Sequence, residues 1–230
     1  IPGSLVGSEM CIRDSLLAGS TGFLGNEILK ILGEKDISTI ALARRTIPNL
    51  PRNAEELIID FNDLRRISLP SIDHVYLSLG YPLYYQNVMG FMSPTLRKNF
   101  FEVDFTYQIA IAKRTKEIGA KSISLISAVG ADPNSWNYYL KTKGMLEKEI
   151  IKLKFDKTNI FRPGHLMGNK KRLDIVLADM VSLAVDPFLN GSLKKFRSIS
   201  VKKLSKSIVQ KSIDSKNGIN VFDYKDFKNS

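Results

Sequence analysis

Leu16-Leu17-Ala18-Gly19-Ser20-Thr21-Gly22-Phe23-Leu24-Gly25 is the stretch that decides the fold of this chain. A short apolar run enters a G-x-x-G-x-x-G turn, and Ile28, Leu29, Ile31 and Leu32 then recur at helical spacing. A strand passing through glycines directly into a helix is a variant of the dinucleotide fingerprint. In that pattern Gly19 permits the tight turn, Gly22 lets a pyrophosphate approach the backbone, and Gly25 lets helix and strand pack closely. Free N–H groups at the helix start supply the anion site. The candidate cradle is therefore Gly19, Ser20, Thr21, Gly22, Phe23, Leu24 and Gly25.

Outward from this turn, strand-like runs alternate with helical patterns. Thr39–Ala43, Glu56–Asp60, Val75–Leu79, Ser122–Ile126 and Thr158–Phe161 read as strands two to six. A helix is expected from about Leu96 to Ile118, where Phe100, Val103, Tyr107, Ile111 and Ala112 recur at helical spacing. Another runs from Tyr139 through Leu146 and Ile150 to Leu153. This alternation predicts an α/β fold: a Rossmann-like, doubly wound parallel sheet with helices on both faces. Few strands alternate polar with apolar residues, as expected when both faces are covered. The stretch Gly80–Pro94, with Tyr81, Tyr84 and Tyr85, is the longest irregular piece. Two readings of it stand, a lining for a substrate pocket and a mobile edge.

Strand five ends in Ser127-Ala128-Val129-Gly130, followed by Tyr139-Leu140-Lys141-Thr142-Lys143. Four-residue spacing places Tyr139 and Lys143 on one helical face. An ammonium beside a phenol favours the phenolate, so Lys143 is expected to lower the Tyr139 pKa toward a range useful for acid/base work. Ser127 could then hold a substrate carbonyl beside that phenol. Each residue also has a plainer reading. Tyr139 could pack against Tyr138 and Trp136, Lys143 could be one lysine among many, and Ser127 could satisfy a strand end. His165, beside a Pro-Gly turn, is left outside the catalytic set.

Strand two ends Ala43-Arg44-Arg45, with no acid to bind a ribose 2′-hydroxyl. A guanidinium donates two hydrogen bonds in one plane and suits a 2′-phosphate, so Arg44 and Arg45 point to NADP(H) over NAD(H). Ordinary surface arginines are the alternative.

The 230 residues, 43% hydrophobic, suffice for a single domain with a sizeable core. One cysteine, Cys11, leaves no disulfide framework, and two distant histidines, His74 and His165, argue against a metal site. No apolar run approaches a membrane span and no signal-peptide layout is evident, so the default expectation is a cytoplasmic protein. The net charge of +11 is uneven: residues 1–140 hold 14 basic and 14 acidic residues, residues 141–230 hold 20 and 9. Lys170-Lys171-Arg172, Lys194-Lys195-Phe196-Arg197 and Lys202-Lys203 are candidate phosphate contacts, but no nucleic-acid motif accompanies them. A solvated lysine-rich face is the reading preferred. Residues 1–15 fit no element of this fold, and Glu9-Met10-Cys11-Ile12-Arg13-Asp14 resembles the translation of a sequencing-library adapter. They are expected to be non-native or disordered, with one domain over 16–230.

From Leu16 onward the chain resembles the atypical short-chain dehydrogenase/reductases, and among them the Tat-interacting-protein-like oxidoreductases. The resemblance is carried by the glycine turn, Ala43-Arg44-Arg45, Ile59-Asp60-Phe61, Leu79-Gly80, Ser127 to Asp132, Tyr139 with Lys143, and Phe161-Arg162-Pro163-Gly164. It implies that Asp60 and Phe61 lie near the adenine, and that the Leu79-Gly80 backbone borders the cofactor. It further implies that Pro163 and Gly164 border the nicotinamide, and that Ser127, Tyr139 and Lys143 form the catalytic set. Residues after about 165 would be a small substrate-covering subregion. Many relatives carry asparagine where Asp104 stands, which weakens a proton relay through that position. The implied function is an NADP(H)-dependent oxidoreductase acting on a small carbonyl or alcohol. The rival is a non-catalytic NADP(H)-sensing or protein-interaction module, since some members of the group act through protein partners.

Overall fold

The computed structural model describes residues 14–61, 63, 69–168, 179–182 and 184–228. Among these lie β1 (Asp14–Ala18), β2 (Ser38–Ala43), β3 (Ala54–Ile58), β4 (His74–Leu77), β5 (Ser122–Ile126), β6 (Lys157–Phe161), β7 (Leu166–Met167), β8 (Ile199–Ser200) and β9 (Gly218–Phe222). Seven of them pair in the order β3-β2-β1-β4-β5-β6-β9, every pairing parallel. β7 and β8 make a separate parallel ribbon. The chain winds outward from β1 to β3, crosses back to β4, and then winds the other way. That reversal between β1 and β4 opens a crevice at the carboxyl ends of the strands, where ligands of such sheets bind.

The helices are α1 (Phe23–Glu34), α2 (Tyr85–Val88), α3 (Pro94–Phe101), α4 (Gln108–Glu117), α5 (Tyr138–Lys152), α6 (Val201–Asp214) and α7 (Tyr224–Lys228). Successive strand residues point to opposite faces. Leu17, Ala41 and Tyr76 therefore meet α1, α6 and α7 on one side. Leu16, Leu42, Val75 and Leu125 meet α4 and α5 on the other. With both faces covered, β4 and β6 are buried along their whole lengths. The expected doubly wound architecture is what the chain forms.

Several boundaries differ from expectation. Asp14 and Ser15 belong to β1, and Ser15 is fully buried in register with Thr39 and His74. The sheet thus begins two residues inside the segment expected to be foreign; residues 1–13, with Cys11, lie outside the described residues. β3 runs from Ala54 to Ile58 because its register against β2 starts at Thr39, and this leaves Asp60 beyond the strand. β9 went unread because it is an edge strand with Ile219 and Val221 exposed, so its composition carries no buried-strand signal.

The expected long helix is interrupted. α3 begins at Pro94 behind a Ser93 cap whose hydroxyl accepts from the Leu96 N–H. A π-helical stretch, Glu102–Tyr107, then separates it from α4. Such wide turns concentrate at functional sites. The Gly80–Pro94 segment is a hydrogen-bonded unit around α2: Tyr84 N–H donates to Asn87 Oδ1 at 2.9 Å, and Asn87 Nδ2 donates to the Phe91 carbonyl at 2.8 Å. Asn137, the α5 cap, donates to the Val88 carbonyl at 2.9 Å and docks this unit on α5. These bonds tie the segment to α5, and of its residues Gly80 lines the cleft beside the glycine turn.

Candidate active site

Gly19 has φ +94°, and a Cβ there would sit 2.4 Å from the Ser78 carbonyl oxygen. The turn therefore lies directly against the end of β4. A Cβ on Gly25 would fall 2.1 Å from the Gly19 oxygen, so these two glycines interlock strand, turn and helix. Ser20 is fully buried and donates to the Leu42 carbonyl at 3.2 Å, bracing the turn to β2 rather than facing outward. α1 starts at a Gly22 cap with no side-chain cap bond and no acid in its first turn. Nothing on its own side chains competes with an anion for those N–H groups.

A cleft of about 80 Å³ opens beside this turn. Of the residues expected to bind cofactor, it is lined by Gly19, Thr21, Gly22, Arg44, Phe61, Leu79 and Gly80. Arg45 and Asp60 are exposed and outside that lining. The lining also includes Val103 and Tyr107, read from sequence only as helix core; Tyr107 packs on Phe61 with ring centroids 5.4 Å apart. A wider depression of about 540 Å³ lies at the amino ends of β1, β2 and β3. It contains none of the expected site residues and is at the wrong end of the strands for a fold of this kind.

On α5, Tyr139, Lys143 and Glu147 follow one another at four-residue spacing along one face, with Lys143 and Glu147 almost wholly buried. Lys143 Nζ lies 2.7 Å from Asp104 Oδ1, and the other Asp104 oxygen accepts from the Tyr81 N–H at 2.7 Å. Burial works against the Lys143 ammonium, but Asp104, Tyr139 and Glu147 outweigh it and hold its pKa above the ordinary lysine range. Tyr139 packs on Phe100, centroids 5.6 Å apart.

The expected depression of the Tyr139 pKa does not appear. Burial raises it, Lys143 pulls it down, and Asp104 pushes it up again; the net direction is upward. Spacing alone takes in the lysine and leaves out both the burial of the phenol, which is the larger cause, and the carboxylate that pairs with the lysine. Ser127 already has a partner. Its hydroxyl donates to Glu147, which is held in turn by Arg162, whose Nε lies 3.0 Å from Glu147 Oε1. Glu147 is thus a site residue that sequence reasoning missed. Its signal was legible as one further four-residue step after Lys143.

At the end of β6, the Pro163 carbonyl accepts from the Val129 N–H at 2.9 Å, joining the loops after β5 and β6. A Cβ on Gly164 would meet the Arg197 oxygen at 2.6 Å, so the 196–197 backbone closes over this turn. His165 Nε2 pairs with Asp179 Oδ1 at 2.6 Å, consistent with a structural role. Arg197 donates to the Leu189 carbonyl at 2.9 Å and is spent on the fold. Lys170, Lys171 and Arg172 lie outside the described residues.

The seven-stranded parallel sheet with helices on both faces defines the class of fold as Rossmann-like α/β. Solved structures similar to it include MoeE5 in complex with UDP-glucose and NAD, at TM-score 0.70 and 16% identity over 91% of this chain and 75% of that one. Human epimerase family protein SDR39U1 with NADPH follows at 0.65 and 15%, over 90% and 73%. A short chain dehydrogenase family protein from Francisella tularensis reaches 0.64 and 16%, over 92% and 97%. No family model matches the chain. Curated relatives named "Protein FMP52, mitochondrial" do. The Eremothecium gossypii protein is 34% identical over 69% of this chain and 68% of its own length. The Candida albicans protein is 30% identical over 87% and 89%. The chain belongs to the FMP52 family. The sequence resemblance therefore holds at the level of the fold, while the relatives carry the FMP52 name rather than a Tat-interacting-protein name. The expectation of a cytoplasmic protein is overturned by the mitochondrial designation of these relatives. It had rested on absences, and the fact that no described helix is long and apolar enough to cross a membrane assigns no compartment.

Proposed function

We propose that this chain is an NADP(H)-dependent oxidoreductase acting on a small carbonyl compound or the matching alcohol. The observation that carries the reading is a juxtaposition at one end of the sheet. The uncapped glycine turn, Arg44 and the Tyr139/Lys143 helix are all built at the carboxyl ends of the strands, around the switch point. The residues fit a nicotinamide dinucleotide. The interlocked turn leaves backbone N–H groups for a pyrophosphate, Arg44 in the cleft wall suits a 2′-phosphate, and Leu79-Gly80 offers a side-chain-poor border. The solved neighbours named with NAD or NADPH agree with this class of cofactor without choosing between the two.

When bound, the dinucleotide supplies or accepts the hydride. The chain's own residues handle the proton. Tyr139 presents a phenol for the substrate oxygen, Lys143 stabilises the phenolate left behind, and Ser127 orients the oxygen from the end of β5. Since Glu147 accepts the Ser127 proton, the serine presents its lone pairs first and donates to a carbonyl only after rotating away from Glu147.

Fluorescence titration with NADPH and NADH tests the cofactor. NADPH is expected to bind more tightly, and the Arg44→Ala, Arg45→Ala double variant to lose that preference. Failure of the wild-type chain to bind either dinucleotide would sink the reading. A panel of small aldehydes and ketones, followed at the NADPH absorbance, then tests turnover; Tyr139→Phe should abolish it while leaving NADPH binding intact.

A further inference from the structure

In the described site two charges act on the Tyr139 phenol, Lys143 from its own helix and Asp104 from the π-helical stretch. Glu147, held by Arg162 from the end of β6, acts on Lys143. The α3 arginine, Arg97, is directed instead over the Tyr138 ring, 5.2 Å from its centroid. The Lys143 ammonium is therefore matched by the Asp104 carboxylate in contact with it.

Asp104 is not there by accident of a flexible surface. Its residue is 2% exposed and its second carboxylate oxygen is taken by the Tyr81 N–H. Its own carbonyl accepts from Gln108 Nε2 at 3.0 Å, and that amide reaches the Leu79 carbonyl at 3.3 Å. The wide turn of Glu102–Tyr107 carries this acid inward, and the segment that borders the cleft, Leu79 to Tyr81, is tied to it from both ends. Burial pushes the Asp104 carboxyl pKa up, against the pull of Lys143 and the Tyr81 N–H, which both favour the carboxylate. A side chain fixed by so many bonds holds that carboxylate at one distance from Lys143.

We propose that Asp104 is a positioning residue that cancels the charge of Lys143 and so keeps Tyr139 as a proton donor, restricting alcohol oxidation to alkaline solution. The inference rests on Tyr139 being the acid/base of the proposed reaction. In the direction of reduction, the carbonyl carbon gains the hydride given up by reduced nicotinamide, and the carbonyl oxygen gains the Tyr139 proton. The products are the alcohol, the oxidised cofactor and a tyrosinate, which recovers its proton from water. In the reverse direction the tyrosinate must exist before the alcohol can give up its proton, and Asp104 opposes that state. With a neutral amide at position 104 the ammonium would act on the phenol uncompensated, as the spacing of Tyr139 and Lys143 alone would suggest.

The test reads Tyr139 itself, in the free full-length chain. Tyrosine labelled with ¹³C at Cζ reports each phenol by NMR, and Tyr139→Phe assigns the signal among the eight tyrosines. Across pH 6 to 11 the wild-type Tyr139 signal is expected to stay that of a phenol beyond the ordinary tyrosine midpoint. Asp104→Asn should lower its midpoint by about one pH unit or more. An unchanged or higher midpoint overturns the proposal. Should the amide variant fail to fold, Asp104→Ser removes the same charge with a smaller side chain and is read by the same criterion. Because no cofactor is present, this outcome is separate from that of the NADPH titration. A chain that binds no dinucleotide loses the proposed function, whereas a Tyr139 midpoint insensitive to Asp104 loses only this inference.

Discussion

His74 offers the sharpest test of the energetics of this fold. It begins β4, is fully buried, and its Nε2 lies 2.9 Å from Ser124 Oγ, which in turn lies 2.7 Å from Ser212 Oγ on α6. Burial, helped by the positive charge of Lys157, lowers its pKa from 6.5 to about 3. A histidine whose pKa falls on folding binds fewer protons in the native state than in the unfolded one. Its contribution is therefore undiminished above pH 6.5 and declines as pH drops toward 3. At about 1.4 kcal/mol per pH unit, the loss is about 2 kcal/mol at pH 5 and about 3 kcal/mol at pH 4. Urea unfolding of the wild type and of His74→Gln at pH 7, 5 and 4 isolates this contribution from that of the carboxylates, which both proteins share. The variant is expected to be the weaker protein at pH 7, because the ring packs on Tyr76 at 4.4 Å. The gap should then narrow by the stated amounts as pH falls. A gap that stays constant from pH 7 to pH 4 would refute the argument.

Three further outcomes follow from the site. Gly25→Ala drives a methyl group into the Gly19 carbonyl and is expected to cost at least about 2 kcal/mol and to weaken NADPH binding more than tenfold, read by thermal melting and fluorescence titration. Lys143→Met strands the buried Asp104 carboxylate, a loss of about 3–5 kcal/mol in urea unfolding, and adding Asp104→Asn should restore most of it. Arg162→Ala leaves Glu147 with fewer partners; as the guanidinium is about one third exposed, the expected cost is only about 1–2 kcal/mol.

What could be read from the sequence was whatever depends on local spacing. The glycine turn, the order of strands and helices, and the Tyr139–Lys143 face all follow from periodicities of two, three and four residues, and the fold bears them out. What could not be read depends on partners distant along the chain. Asp104 and Lys143 are 39 positions apart, and only the π-helical stretch, which carries no strong residue signature, brings the acid to the ammonium. Ser127 reads as a free hydroxyl until the end of β5 and α5 are placed together, whereupon it proves to donate to Glu147. The same limit explains β9, an edge strand recognisable only from its register against β6.

These misses share a physical cause that bears on the site. A motif states which groups are present, but the protonation state of those groups is set by the sum of charges around them. In this chain the charges that act on Tyr139 come from Lys143 and Asp104, on two separate segments, and only one of the two belongs to the motif. Two chains can therefore share the Tyr-x-x-x-Lys pair and differ in whether the tyrosine is an acid or a base at neutral pH. In this chain the residue facing the lysine adds to the burial of the phenol in setting that state. Exchanging Asp104 for asparagine should shift the pH profile of alcohol oxidation toward neutrality and leave reduction at pH 7 no faster. Equal displacement of both profiles would mean that Asp104 acts on something other than the protonation of Tyr139.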